Sequence, residues 1–195
     1  MNYRQAIQNY HPSNDQEAND KAIILNYIEA FASNILTREN QIAHLTSSGL
    51  ILSPALDKVL MIHHNIYKTW AWTGGHADGD TDMLEVAIKE AKEETGAAEI
   101  VPLTNEMLSI DIIPVYGHVK NGKYVSSHLH LNTAYVLIAD ENENLIINTE
   151  ETSDVTWVDV EKLSDYSNEP YLVEIYLKLI QKAKCHLSKS KVSLI

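Results

Sequence analysis

The stretch of this sequence best equipped for chemistry runs from Gly74 to Gly96. On a helix turning about 100° per residue, Glu90, Glu93 and Glu94 fall within roughly 100° of one another on one face. Carboxylates crowded in this way repel unless a cation neutralises them. An all-oxygen set suits Mg²⁺, with Mn²⁺ as an alternative. Ahead of the helix, Gly74 and Gly75 let a backbone amide or carbonyl approach a ligand closely. The bland reading is a solvated charged helix face. It explains the glutamates separately, but not the paired glycines one short segment before them.

Other residues carry weaker signals. His76 follows the glycines directly and is expected to contact substrate. His128 and His130 alternate on one strand face, with His118 expected on the facing strand. Such a wall would touch a base or ribose, hold zinc, or consist of partly buried rings bonded to backbone. Glu151 reads equally as a general base or as part of a solvated acidic turn with Glu150. Lys120 and Lys123 flank an Asn-Gly turn, as phosphate clamps or as solvated lysines. Trp70, Trp72 and Trp157 read as core, although Trp70 lies beside the glycine segment.

Elements to position these groups follow from periodicity. Residues 1–13 read as a loose lead-in. Ala22, Ile23, Tyr27, Ile28 and Phe31 then make one apolar stripe on a helix from about Asp15 to Ala32, which either caps the domain or forms a dimer interface. Strands are expected at Leu45–Leu52, Val59–Ile62, Ile110–Val119, Tyr124–Ile138, Leu145–Ile147 and Val155–Val158, with Asn121-Gly122 as a hairpin turn. Gly74–Gly79 reads as a glycine-rich loop. Asp82 with Glu85 fits a capping box opening the acidic helix, and Gly96 closes it. A last helix is expected from about Glu169 to Lys184. Strands dominate the middle without alternating strand and helix, so the expected class is α+β with a mixed sheet.

Composition narrows the function. At 195 residues with 45% hydrophobic and 22% charged residues, the chain is one globular domain with an appendage. A net charge of −12 disfavours nucleic acid and anionic membranes, so neither is expected as a partner. A lone cysteine, Cys185, no signal-like N-terminus and no long apolar run point to a cytoplasmic setting.

The stretch from Gly75 to Gly96 resembles the Nudix hydrolase signature. Gly75, Glu90, Glu93, Glu94 and Gly96 match at the correct spacing. Lys89 stands where the family has Arg, Thr81 where it has its first Glu, and Ala91 and Ala97 where it has larger aliphatics. His44-Leu45-Thr46, the Trp70–His76 segment and Tyr124–Asn132 are similar to a bacterial subgroup with a Gly-Gly-His loop. The resemblance covers about residues 35 to 165. Residues 1–40 are expected as an N-terminal helical extension, 41–187 as a Nudix domain and 188–195 as a flexible tail, and the resemblance implies an α/β/α sandwich around a mixed sheet. It further implies a metal-dependent hydrolase that cleaves the diphosphate linkage of a nucleoside diphosphate derivative by water attack at phosphorus. Glu90, Glu93, Glu94 and the Gly75 backbone are the implied metal ligands, and Glu93, Glu94 and Glu151 the implied catalytic groups. His76, His128, His130, Lys89 and Trp70 are the expected substrate contacts, and a homodimer is possible. The departures at Thr81 and Lys89 leave a catalytically weak nucleotide-binding or regulatory module as the alternative. The acidity is itself localised. Residues 75–99 carry eight acids and two lysines, and residues 140–165 carry nine acids and one lysine, which suits cations held first and a diphosphate bound through them.

Overall fold

The computed structural model describes residues 2–66, 68–120, 122–149 and 152–192. Two helices open the chain. α1 (Tyr3–Asn9) begins where the Asn2 side chain accepts the Arg4 amide, and α2 (Asp15–Ala30) where the Asn14 side chain accepts the Glu17 amide. The expected lead-in is therefore helical over most of its length. The single buried residue of α1, Ile7, is too little periodicity to read in seven residues.

The hairpin of β1 (Ala43–Leu52) and β2 (Lys58–His64) follows. Short β3 (Trp70–Ala71) pairs with β2, and β4 (Thr73–His76) pairs with β1. The glycine-rich segment thus begins as a strand, not a loop. α3 (Met83–Thr95) starts with Asp82 accepting the Leu84 amide and ends at Gly96, whose φ of 69° suits glycine. After β5 (Val101–Pro102) come β6 (Ser109–Val115), β7 (His118–Lys120), β8 (Lys123–Val125) and β9 (His128–Ile138). β7 and β8 pair on either side of Gly122, while Asn121 lies outside the described residues. The expected strand at Leu145–Ile147 is replaced by irregular chain along the end of α3. There the Ile146 amide donates to the Thr95 carbonyl. β10 (Thr152–Asp159), a 3-10 turn at Val160–Lys162, α4 (Leu163–Tyr166) and α5 (Pro170–Val192) complete the chain. α5 runs on past Leu187, where the sequence suggests a flexible tail. Among the described residues no helix is long and apolar enough to cross a membrane.

One eight-stranded mixed sheet is ordered β10-β2-β1-β9-β5, with β3 on β2, β4 on β1 and β6 on β9. β1 and β9 are parallel, from Ala43↔Leu129 to Leu52↔Ile138. Strand side chains alternate between faces. Leu45 and Ile51 pack with Ile24 and Ile28 of α2 and with Met83, Ala87 and Ala91 of α3. Leu50 and Leu52 pack with Tyr176, Leu179 and Ile180 of α5. The result is an α+β fold, an α/β/α sandwich around a mixed sheet, with α1 and α2 joining the α3 side.

A buried charge network ties α2 to the sandwich. The Glu17 side chain is 0% exposed and accepts Lys182 Nζ at 2.6 Å, with Lys178 Nζ at 3.1 Å. Lys178 also reaches the fully buried Asp111 of β6 at 2.7 Å. The Ser13 amide and hydroxyl donate to the other Glu17 oxygen at 2.8 and 2.9 Å. Burial alone would raise the Glu17 carboxyl, but hydrogen bonds from Lys182, Ser13 and Tyr10 outweigh it and hold the group at about 2. Burial also pulls the Lys182 ammonium downward, against the upward pull of Glu17.

With the folded value lowered from an ordinary 4.5 to about 2, the stability contributed by Glu17 is complete above 4.5 and is lost as pH falls toward 2. Glu17→Gln leaves two part-buried lysines without this partner. It is expected to lower the unfolding free energy by about 3–5 kcal/mol at neutral pH and to flatten the acid limb. Urea denaturation at a series of pH values reads both effects, and an acid limb as steep as that of the parent contradicts them.

Candidate active site

β4 is the strand on which the site is built. It pairs with β1 in the register Thr46↔His76, Ser47↔Gly75 and Ser48↔Gly74. Ser47 and Gly75 face α3. The Ser47 hydroxyl donates to the Met83 carbonyl, and a Cβ on Gly75 would lie 2.5 and 2.6 Å from the two Glu90 carboxylate oxygens. On Gly74, a Cβ would sit 2.6 Å from Ser48 Oγ and 2.8 Å from the Ser47 carbonyl oxygen. At Gly74 only glycine leaves room, and at Gly75 a side chain enters only if Glu90 moves away.

Two of the three expected glutamates are fixed by this strand. Glu90 packs on Gly75. Glu94 is 3% exposed, and its Oε2 accepts the Gly74 amide at 2.9 Å. Glu93 is exposed on the next turn and lies 3.8 Å from Lys89, an i,i+4 pair in solvent. The connection from β4 to α3 is held by the N-terminal segment. The Tyr3 amide donates to the Thr81 carbonyl, the Gly79 amide donates to the Leu36 carbonyl, and Arg38 forks onto Asp78 at 3.0 and 2.7 Å. Carboxylate oxygens beside a backbone that tolerates no side chain fit a hard divalent cation such as Mg²⁺.

The other face of the same strands carries histidines. His44 of β1, His76 of β4, and His128 and His130 of β9 place one donor nitrogen each within 4.8 Å of one another. The parallel register His44↔His130 and the antiparallel register Thr46↔His76 bring them together. On the same face the Thr46 and Ser48 hydroxyls donate to Asn132 Oδ1 at 2.9 and 3.0 Å. Burial, reinforced by Arg38 and the other rings, lowers His76 to about 3. Burial and the neighbouring rings lower His130 to about 2, and burial also lowers His44. These three rings are neutral at physiological pH and keep a lone pair.

One expected placement differs. His118 lies on β7 and pairs with Val125 of β8, while Val115 of β6 stands opposite His128, so the strand beside the β9 histidines is not the one that carries His118. Trp70 packs edge-on against His63 and Tyr166, at 5.4 and 5.8 Å. Glu151 lies outside the described residues. His44, like His76, is a member that the sequence does not single out as a ligand. Its signal is the alternation His44-Thr46-Ser48, a polar face on a strand whose later residues are apolar.

The NUDIX domain model matches residues 43–182. The chain belongs to the Nudix hydrolase family. A probable DHNTP pyrophosphohydrolase of Lactococcus lactis subsp. cremoris (strain MG1363) is 26% identical over 121 residues, covering 62% of this chain and 69% of that protein. The structure of the E. coli dihydroneopterin triphosphate pyrophosphohydrolase superposes with a TM-score of 0.53 at 10% identity, over 71% of this chain and 95% of that one. A NUDIX-family hydrolase from Clostridium perfringens superposes with a TM-score of 0.50 at 22% identity, over 71% and 96%. These likenesses show the fold. As a Nudix hydrolase the protein acts on pyrophosphate bonds. The Nudix match begins at β1, so α1 and α2 lie outside it.

Because the three atoms nearest a Cβ at Gly75 all belong to the movable end of Glu90, Gly75→Ala is expected to displace that carboxylate while the fold stays intact. Mn²⁺ affinity, read by calorimetry, should fall by about 10–100-fold with little change in Tm. In contrast Gly74→Ala meets backbone, and should cost about 1–3 kcal/mol of stability. Unchanged Mn²⁺ affinity in Gly75→Ala contradicts the assignment.

Proposed function

We propose that this Nudix hydrolase cleaves the diphosphate linkage of a nucleoside diphosphate derivative by water attack at phosphorus, with Mg²⁺ as the working ion and Mn²⁺ as a substitute. Glu90, Glu93, Glu94 and the Gly75 backbone would hold it. The observation that carries this reading is the fixing of two helix carboxylates by two adjacent glycines, Glu90 on Gly75 and Glu94 on the Gly74 amide. Such fixing puts oxygen ligands in place before any ligand arrives, which lowers the cost of ordering them.

A bound divalent cation there supplies charge stabilisation to the phosphoryl oxygens and a lowered water pKa. The chain's own residues do the rest. Gly74 holds Glu94 by its amide, so the carboxylate keeps one orientation while buried. Lys89 moderates the charge of exposed Glu93 and stands ready to meet a phosphate oxygen. Glu151, directly before β10 in the sequence, is the proposed general base. The Lactococcus relative adds a pterin triphosphate to the substrates worth testing beside nucleotide sugars, ADP-ribose, dinucleoside polyphosphates and nucleoside triphosphates.

Glu94→Gln keeps an acceptor for the Gly74 amide but removes the charge. Loss of several kcal/mol of transition-state stabilisation lowers kcat by about 100-fold or more. Turnover of the best substrate in the panel should vanish with a chelator and return with Mg²⁺. Full turnover by folded Glu94→Gln would falsify the metal assignment. Nucleotide-dependent thermal stabilisation without product across the panel would favour a binding module instead.

A further inference from the structure

We infer that His44, His76, His128 and His130 form a second metal site, for a single zinc-class transition-metal ion, on the face of β4 opposite the helix carboxylates. The donor nitrogens lie within 4.8 Å of one another, on three strands of one sheet. Tetrahedral zinc with Zn–N bonds of about 2.0–2.1 Å needs nitrogen–nitrogen edges of about 3.3–3.4 Å. His128 Nε2 and His130 Nε2 stand 3.3 Å apart.

Tautomers are set by the backbone. A carbonyl only accepts, so the contacts of His44 Nδ1 with the Asn40 carbonyl and of His128 Nδ1 with the Ser126 carbonyl, both 2.9 Å, make these nitrogens donors. In each neutral ring the lone pair then belongs to Nε2. This is the outer-sphere arrangement that orients a metal-binding imidazole. His44 is 4% exposed, and its Nε2 is buried with no hydrogen-bond partner. A buried acceptor of this kind costs about 1–3 kcal/mol of stability unless something is placed against it. A cation satisfies both of these Nε2 lone pairs at once, whereas a base or ribose offers donors in fewer directions. Imidazole nitrogen selects zinc-class ions over Mg²⁺, so the two faces of β4 differ in the ion they prefer. Through His76, which adjoins Gly75, an ion at this site pins the glycine strand on which Glu90 packs.

The test is titration of metal-free full-length protein with Zn²⁺ and with Co²⁺, read by calorimetry, Tm and visible absorption. Wild type should take one Zn²⁺ equivalent at the histidines with a rise in Tm, and the Co²⁺ form should show the intense d–d bands of a tetrahedral nitrogen centre. His128→Ala/His130→Ala should lose this signature, and Glu90→Gln should keep it. Because the double variant removes two packed rings, His128→Gln serves as a milder check, with an expected loss of at least about tenfold in Zn²⁺ affinity. Absence of the tetrahedral Co²⁺ spectrum in wild type overturns the site. So does its persistence in the folded double variant, or its loss in Glu90→Gln.

Discussion

The Glu90 carboxylate occupies the space that any side chain at Gly75 would need, and the layout of the site depends on that close approach. It brings α3 near enough to β4 for the Gly74 amide to reach Glu94 one turn along. Since strand residues alternate, it also fixes what β4 shows on its other side, namely His76. A four-residue strand therefore separates two kinds of donor. Carboxylate oxygens lie on the helix side and imidazole nitrogens on the other.

Support for this strand comes from outside the segment matched as a Nudix domain. The backbones of Tyr3 and Leu36 and the fork of Arg38 on Asp78 hold the connection between β4 and α3. The helices that deliver them are anchored by Glu17, which is buried among Lys178, Lys182 and Ser13. Replacing one partner of such a network leaves the others uncompensated. Packing at the N-terminus, electrostatics in the α2–β6–α5 layer and the geometry of the glycine strand are thus links in one chain of support.

The carboxylate helix is legible in the sequence because its signals are local. Asp82 caps it, Gly96 closes it, and Glu90, Glu93 and Glu94 sit a turn or less apart. The histidine cluster is only half legible. His128 and His130 are visibly on one strand face, but His44 joins them through a parallel pairing between distant strands, which no local pattern announces. His118 is the nearer candidate in the chain, but it lies on β7, paired with β8, and not on β6, the strand beside β9. α1 hides because one buried residue gives no period, and Leu145–Ile147 misleads because its apolar run covers the end of α3 instead of joining the sheet.

The charge distribution agrees with this partition. The eight acids and two lysines of residues 75–99 concentrate negative charge around α3, while His44, His76 and His130 are held neutral on the other face. The most direct measurement is anomalous diffraction at the manganese and zinc edges from one crystal soaked with both ions. The expected result is a manganese peak among Glu90, Glu93 and Glu94, and a separate zinc peak about 2.1 Å from the histidine nitrogens, with β4 between them. A single peak shared by both metals, or zinc at the glutamates with none at the histidines, would contradict it.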